Sequence, residues 1–387
     1  MPNYRDLEKS DFQGARQEIS QHSVRLFAKV LARKMRYIKK SVSVIFHLPF
    51  LCVTALLYLL GTHVGSFEIP GVAEASSKMD RKPKFVFKTD FNIDWIDISP
   101  DSRYLAAGGH YGRVLIFDLT TGKVITTLQH EAVVERLSYS PDGRYLVTGT
   151  RKTYKIKNNE TVNVWDAKTH KLIKKLSPPY DMNYRAHVQS LAFSPDGKYL
   201  VVSYTGSPYT KDICIFDMNK MVFLAVIEDI KGVMSSMFSP DGKRFAYSNY
   251  NEAIYIVDFA SKKIKIVINV ESTELVKTLA FSPSGGQLAA GCADDSVRIF
   301  DPQTGKVLHI LKGHSSDVVA LAYGRDGKTL YTGSYDKTLL CWNTEEGTLE
   351  TTVENDKEFI FSVSVSKDGK LLAVGGGYRV TLWNLPL

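Results

Sequence analysis

The residues of this chain best suited to acid–base chemistry are His314, Ser334 and Asp336, which stand within one short stretch and end at Trp342. An imidazole and a carboxylate can do acid–base work, but no additional α/β domain carrying a serine nucleophile accompanies them. Other chemistries fail on spacing. Cys52, Cys214, Cys292 and Cys341 include no close pair and no metal-ligand spacing, so they read as small buried hydrophobes. Asp294-Asp295 falls short of the oxygen cage calcium needs, and Gly375-Gly376-Gly377 has no strand-to-helix context for cradling phosphate. The nine histidines are scattered, and neither a C-x-x-C-H nor an H-E-x-x-H run occurs. The sequence therefore assigns no catalytic residue, no cofactor and no metal.

The elements that carry His314 and Asp336 explain them better. Leu311 to Asn343 reads LKGHSSDVVALAYGRDGKTLYTGSYDKTLLCWN, in which Gly-His, Gly-Arg-Asp-Gly and Tyr-Asp-Lys punctuate runs of β-branched, aromatic and aliphatic residues. Val319, Leu321 and Tyr323 would share one strand face, and Val318, Ala320 and Ala322 the other, so both faces are apolar. Six weaker copies follow the same plan. The first turns of all seven repeats begin at Ser99, Ser140, Ser194, Ser239, Ser282, Gly324 and Ser366. Their closing pairs are Phe117-Asp118, Trp165-Asp166, Phe216-Asp217, Val257-Asp258, Phe300-Asp301, Trp342-Asn343 and Trp383-Asn384. Two independent markers thus give seven repeats.

These motifs resemble the WD-repeat family, in about three quarters of the chain. The resemblance implies an all-β, seven-bladed β-propeller. It also implies that Asp336, His314, Ser334 or Thr332, and Trp342 form a buried structural tetrad rather than a catalytic one. The last repeat stops after its third strand, and Lys84 to Lys88, KFVFK, has the length and alternation to supply the fourth.

The formal charge of +8 suggests nucleic acid until it is located. Residues 1–40 hold ten Lys/Arg against four Asp/Glu, or +6, which leaves +2 for the remainder and no reason to expect nucleic acid at the propeller. Val24, Phe27, Leu31, Met35 and Ile38 recur at helical spacing among basic residues, so 22–40 reads as a basic amphipathic helix suited to anionic lipid. Ser41 to Leu60 is uncharged for twenty residues and the run continues to Thr62, which predicts a single transmembrane helix over 41–62. Residues 63–83 read as a linker and 84–387 as the propeller. The basic flank puts the N-terminus in the cytoplasm and the propeller across the membrane, as a signal-anchor protein of a bacterial inner membrane would be; a cytoplasmic propeller is the alternative. Ala73-Glu74-Ala75 resembles a cleavage site but lies too far past the apolar run.

Function is expected where the repeats lengthen. From first turn to closing pair most repeats take 18 or 19 residues, the second takes 26 and the third 23, and the link from Asp166 to Ser194 is also long. These insertions hold Arg151, Lys152, Tyr154, Lys155, Tyr180, Tyr184, Arg185, Tyr204 and Tyr209. Tyrosines among basic groups on one face of a ring suit a protein-binding surface. The insertion also contains Asn159-Glu160-Thr161, an N-glycosylation pattern. The expected function is a membrane-anchored, non-enzymatic interaction scaffold. A propeller enzyme or redox-cofactor protein using the central channel, and a ligand-sensing propeller, are the alternatives.

Overall fold

The computed structural model describes residues 82–151, 153, 160–178, 187–205, 213–227, 230, 232–250, 253–270, 275–355 and 358–386. The expected membrane helix at 41–62, the basic helix at 22–40 and the linker lie outside the described residues. Among the described residues no helix is long and apolar enough to cross a membrane.

The strands form seven four-stranded antiparallel sheets. In the first six the strands follow chain order from the channel outward, and their fourth strands are largely exposed. The inner strands are Ile93–Ile98, Val134–Tyr139, His187–Phe193, Val233–Phe238, Val276–Phe281, Val318–Tyr323 and Ser362–Val365. The seventh sheet is completed from the other end of the domain. Phe85–Lys88 pairs antiparallel with Arg379–Asn384, with Phe85 opposite Leu382 and Phe87 opposite Val380. Phe87 is buried and its ring centroid lies 4.3 Å from that of Phe117, so the closing strand also packs on the first blade. The expectation for KFVFK holds.

Turn chemistry repeats with the strands. The Ser of each S-P-D-G turn donates to the Asp two residues on, as in Ser140 to Asp142 (2.7 Å) and Ser194 to Asp196 (2.6 Å), and the Ser oxygen accepts the N–H five residues on. The Asp of the closing pair caps the next turn: Asp118 Oδ1 accepts from the backbone of Thr120 and Thr121, and Asn343 does the same for Glu345 and Glu346. This explains why position two of that pair stays Asp or Asn while its neighbour ranges from Trp to Val. The first needs an acceptor; the second needs only apolar bulk.

The buried tetrad is present in blade six, with Thr332 as its hydroxyl member. Trp342 Nε1 donates to Thr332 Oγ1 at 2.9 Å, His314 Nε2 lies 2.7 Å from the same oxygen, and His314 Nδ1 lies 2.8 Å from Asp336 Oδ2. Ser334 is corrected out of the tetrad: its hydroxyl donates to Ser316 O and accepts from Asp336 N, so it shapes the turn. Adjacent residues on a strand point to opposite faces, two apart to the same one, and Thr332 is the one aimed at the indole. Gly313 has a steric reason, because a Cβ there would lie 2.9 Å from Trp342 Cη2. Blade two keeps His130, Thr148 and Trp165 in the same contacts, but His130 Nδ1 faces Gly112 O instead of a carboxylate.

Among the described residues, four of the seven seams between blades follow one rule. Number each inner strand from the residue at Ile93, Val134, Val188, Val233, Val276, Val318 or Ile360. A hydroxyl or carboxylate at one position then accepts the N–H of the next-numbered position in the following blade. Ser362 accepts from Ile96 N (3.2 Å), Ser364 from Ile98 N (3.2 Å), Ser190 from Ser236 N (3.0 Å), Ser235 from Leu279 N (3.2 Å) and Asp97 from Tyr139 N (2.9 Å). Inner-strand N–H groups turned away from their own sheet would otherwise lack partners. Asp97 is the richest of these. It also accepts from Ser138 (3.3 Å) and from Ser364 (3.0 Å), so one carboxylate ties blades seven, one and two.

Burial pushes Asp97 up to about 6 despite those donors. Protonation is thus easier in the folded protein than in the unfolded chain. The resulting stability is complete below the ordinary carboxylate value and is lost as pH rises through about 6. His130, which burial holds down at about 4, acts oppositely: its contribution is complete above about 6.5 and is lost as pH falls toward 4.

Two outcomes are expected. Phe87→Ala should cost about 3–5 kcal/mol in denaturant unfolding, as for other buried Phe truncations, and an unchanged midpoint would show that the ring does not depend on its closing strand. Asp97→Asn should gain on the wild type by on the order of 1–2 kcal/mol between pH 4 and pH 7, since the amide keeps an acceptor and a donor without a charge. A difference that does not change with pH would mean that Asp97 is not desolvated.

Candidate partner-binding surface

The second repeat's insertion leaves the blade from a closed base, where Thr150 N donates to Thr161 O at 2.8 Å. Arg151 is the first residue beyond it. Its guanidinium meets Glu135 Oε1 from Nη2 at 2.7 Å and from Nε at 2.8 Å, and its backbone bridges to His187 of the third blade. Arg151 is half exposed and Glu135 mostly covered. The insertion root is therefore tied both to the next blade and to the inner strand of its own blade.

Lys152, Tyr154, Lys155, Tyr180, Tyr184, Arg185 and Tyr209 lie outside the described residues. Tyr204 does not belong to an exposed patch. Strand Tyr199–Thr205 extends past the expected loop boundary, and Tyr204 stands opposite Val188, buried at 2% with Val202 and Cys214. The alternation Leu200, Val202, Tyr204 on one face carries that signal; the length of the insertion obscures it. Arg151 is the one candidate that the described residues place at the surface.

The same rim surrounds the channel mouth. The second positions of the inner strands are Asp94, Glu135, Gln189, Met234, Lys277, Val319 and Phe361, one per blade, so acids occupy blades one and two and apolar groups blades six and seven. Burial raises Asp94 to about 6, with His110 nearby drawing it down. Beyond the acids, Tyr335, Phe359 and Phe361 form an edge-on aromatic cluster with centroids 5.5–6.2 Å apart. Tyr335 is 36% exposed and Phe359 46%. Behind the mouth lies a cavity of about 430 Å³, lined by Trp95, Asp97, Arg136, Lys277 and the hydroxyls of Ser138, Ser190, Ser235, Ser236 and Ser362.

Other residues with chemical promise are absorbed by structure. Asp294 receives Arg298 (2.7 Å) and Ser296 (2.6 Å), so the Asp294-Asp295 pair serves a turn. Cys214, Cys292 and Cys341 are buried and form no disulfide among the described residues. No group of three or more His, Cys, Asp or Glu is placed to hold a metal among the described residues.

The family described as "WD domain, G-beta repeat" matches residues 122–166, 180–217, 264–301 and 305–343, which end on the closing pairs of blades two, three, five and six. The chain is also similar to the serine-threonine kinase receptor-associated protein of Gallus gallus, at 21% identity over 60% of this chain and 61% of that protein. It is 29% identical to the COMPASS component SWD3 of Saccharomyces cerevisiae over 36% of this chain and 44% of the relative. It is 25% identical to the guanine nucleotide-binding protein subunit beta of Zea mays over 63% of this chain and 67% of that one. The alignments thus span less than two thirds of the first two relatives. Blade seven and most of blades one and four fall outside the matched repeats, yet each has four strands, and Asp118 and Asp258 cap the turns of blades one and four. The folded body of this chain is thus a seven-bladed β-propeller, four of whose repeats match the WD domain and which is similar to these relatives.

Proposed function

We propose that this protein is a non-enzymatic interaction scaffold whose propeller is held at a membrane by residues 41–62 and presents the rim of blades two and three to protein partners. The observation that carries the reading is where the repeats depart from one another. Strand lengths are constrained by pairing, whereas the additions cluster on adjacent blades and are rich in Tyr, Lys and Arg. The ion pair of Arg151 with Glu135 and its bridge to His187 give the second-blade insertion a fixed root. Such a root lowers the ordering cost of docking a partner. The relatives' names add support in kind: a receptor-associated protein, a complex component and a G-protein subunit are all named for what they assemble with.

The anchor rests on sequence. Twenty uncharged residues suffice to span a bilayer, and seven Lys/Arg between His22 and Lys40 with no acid among them favour a cytoplasmic N-terminus. The propeller then lies on the far side, in the periplasm if the host is bacterial, and the basic helix at 22–40 rests on anionic lipid of the inner leaflet.

Protease added to intact spheroplasts should remove a tag placed after Leu387. Protection until the membrane is opened would return the propeller to the cytoplasm. For the surface, joint replacement of Tyr154, Tyr180 and Tyr184 by Ala should reduce recovery of crosslinked partners by at least about fivefold, which corresponds to roughly 1 kcal/mol, with melting unchanged. Equal recovery would move the partner site elsewhere on the ring.

A further inference from the structure

The third position of the inner strand is small in five blades: Ser190, Ser235, Thr278, Ala320 and Ser362. It adjoins the next blade, and the hydroxyls of Ser190, Ser235 and Ser362 accept that blade's N–H there. Blades one and two break the pattern with Trp95 and Arg136. The two stack on each other, the guanidinium carbon 3.9 Å from the indole centroid. Two adjacent blades have exchanged a seam-forming residue for a large one, and the pair lines the cavity behind the mouth.

Arg136 is poorly compensated for a cation in such a place. Its one hydrogen bond among the described residues runs from Nη1 to Glu135 O at 2.6 Å, and no carboxylate there lies within 4 Å of it. Of the acids nearest in charge, Glu135 is paired with Arg151 at 2.7 Å, and Asp94 has His110 Nε2 3.6 Å from its Oδ2. Asp97 is committed to Tyr139 N and Ser364. Burial accordingly draws Arg136 down to about 10, although Glu135, Asp94 and Tyr335 pull the other way. Lys277, on the same cavity wall, is paired with Asp317 at 3.3 Å. Tyr335, Phe359 and Phe361, from blades six and seven, supply the aromatic part of the same rim.

We propose that Arg136, seated on Trp95, binds a carboxylate at the channel mouth, delivered either as a free dicarboxylate or as an Asp or Glu side chain of an extended peptide lying over Tyr335, Phe359 and Phe361. A guanidinium has five N–H donors in a planar fork that matches a carboxylate, and stacking on the indole holds that fork in place. The incoming anion supplies the missing counter-charge in a partly enclosed site, where a charge-assisted contact is stronger than at an open surface. The aromatic rim then selects apolar neighbours of the acidic residue. The proposal does not rest on the insertions binding a partner.

The test uses the full chain in detergent. A labelled decapeptide with a central Leu-Glu-Leu is compared with its Leu-Gln-Leu counterpart by fluorescence anisotropy, and glutarate with glutaramide by thermal shift. The Glu peptide should bind at least about tenfold tighter than the Gln peptide, and Arg136→Ser, which installs the residue type other blades use, should abolish that preference without lowering the melting temperature. Glutarate stabilising the wild type alone, with both peptides silent, would assign the site to free dicarboxylates; both probes responding would admit either source. The proposal is overturned if neither acid is distinguished from its amide, or if Arg136→Ser keeps the discrimination. Should Arg136→Ser fail to fold, Arg136→Gln keeps the length and stack, and persistence of Glu preference in it is equally fatal.

Discussion

Everything in this domain depends on satisfying the inward edges of seven sheets arranged around a channel. A strand hydrogen-bonds fully only when both edges are paired, and the innermost strand of each blade has one edge turned toward the axis. At four of the seven seams a side-chain acceptor meets this need locally. A short acceptor side chain in one blade takes the N–H of the next, at distances of 2.9–3.2 Å, and these bonds hold neighbouring blades in register. The bonds link sheets that share no strand, so they set rotation between blades in a way apolar packing alone does not. Ring closure adds a second requirement, met by Phe85–Lys88, whose pairing brings residues nearly three hundred positions apart into one sheet.

Much of this was legible in the amino-acid sequence because its causes are local. Turns such as Ser140 to Gly143 are specified by residues within five positions of one another, and their regular recurrence gave the blade count. The closing strand was legible by subtraction, since the seventh repeat lacked a partner that KFVFK could provide. The choice of Thr332 over Ser334 was not, because both hydroxyls lie in one strand and only the approach of Trp342 and His314 separates them. Tyr204 was misplaced for a similar reason: pairing with Val188 carries its strand into what looked like loop. The seam acceptors were invisible as well. Ser190 and Ser236 are 46 residues apart and Ile96 and Ser362 are 266 apart, and a serine in a strand has no sequence mark to show that it serves a neighbouring blade.

The candidate sites divide along the same line. Insertions announce themselves by length, so the tyrosine-rich loops of blades two and three could be picked out before any coordinates. The channel mouth does not announce itself, because Trp95 and Arg136 occupy ordinary strand positions and preserve the spacing. They become unusual only when the inner strands are aligned and the other five blades are seen to hold small residues at position three. The structure thus changes what counts as a departure from the repeat: besides length, it includes loss of a residue that the seam would use.

That loss has a visible compensation. With Trp95 in place of a hydroxyl, the first blade has no third-position acceptor to offer Leu137 N of the second. Two positions on, Asp97 accepts from Tyr139 N and Ser138 while receiving Ser364 from the seventh blade. Most other blades place Ala or Met at this fifth position, namely Ala192, Met237, Ala280 and Ala322, and only Ser138 and Ser364 are also polar. A carboxylate has enough lone pairs to serve both neighbours, which a serine does less well, so the seam moves inward by two residues and leaves the mouth to the stacked pair. The requirement for a desolvated acid at Asp97 and the presence of a bulky aromatic at Trp95 are then two sides of one arrangement. Blade one, which has given up its seam residue at the rim, holds its neighbours from deeper in the channel, and the raised affinity of Asp97 for a proton is the electrostatic consequence of that depth.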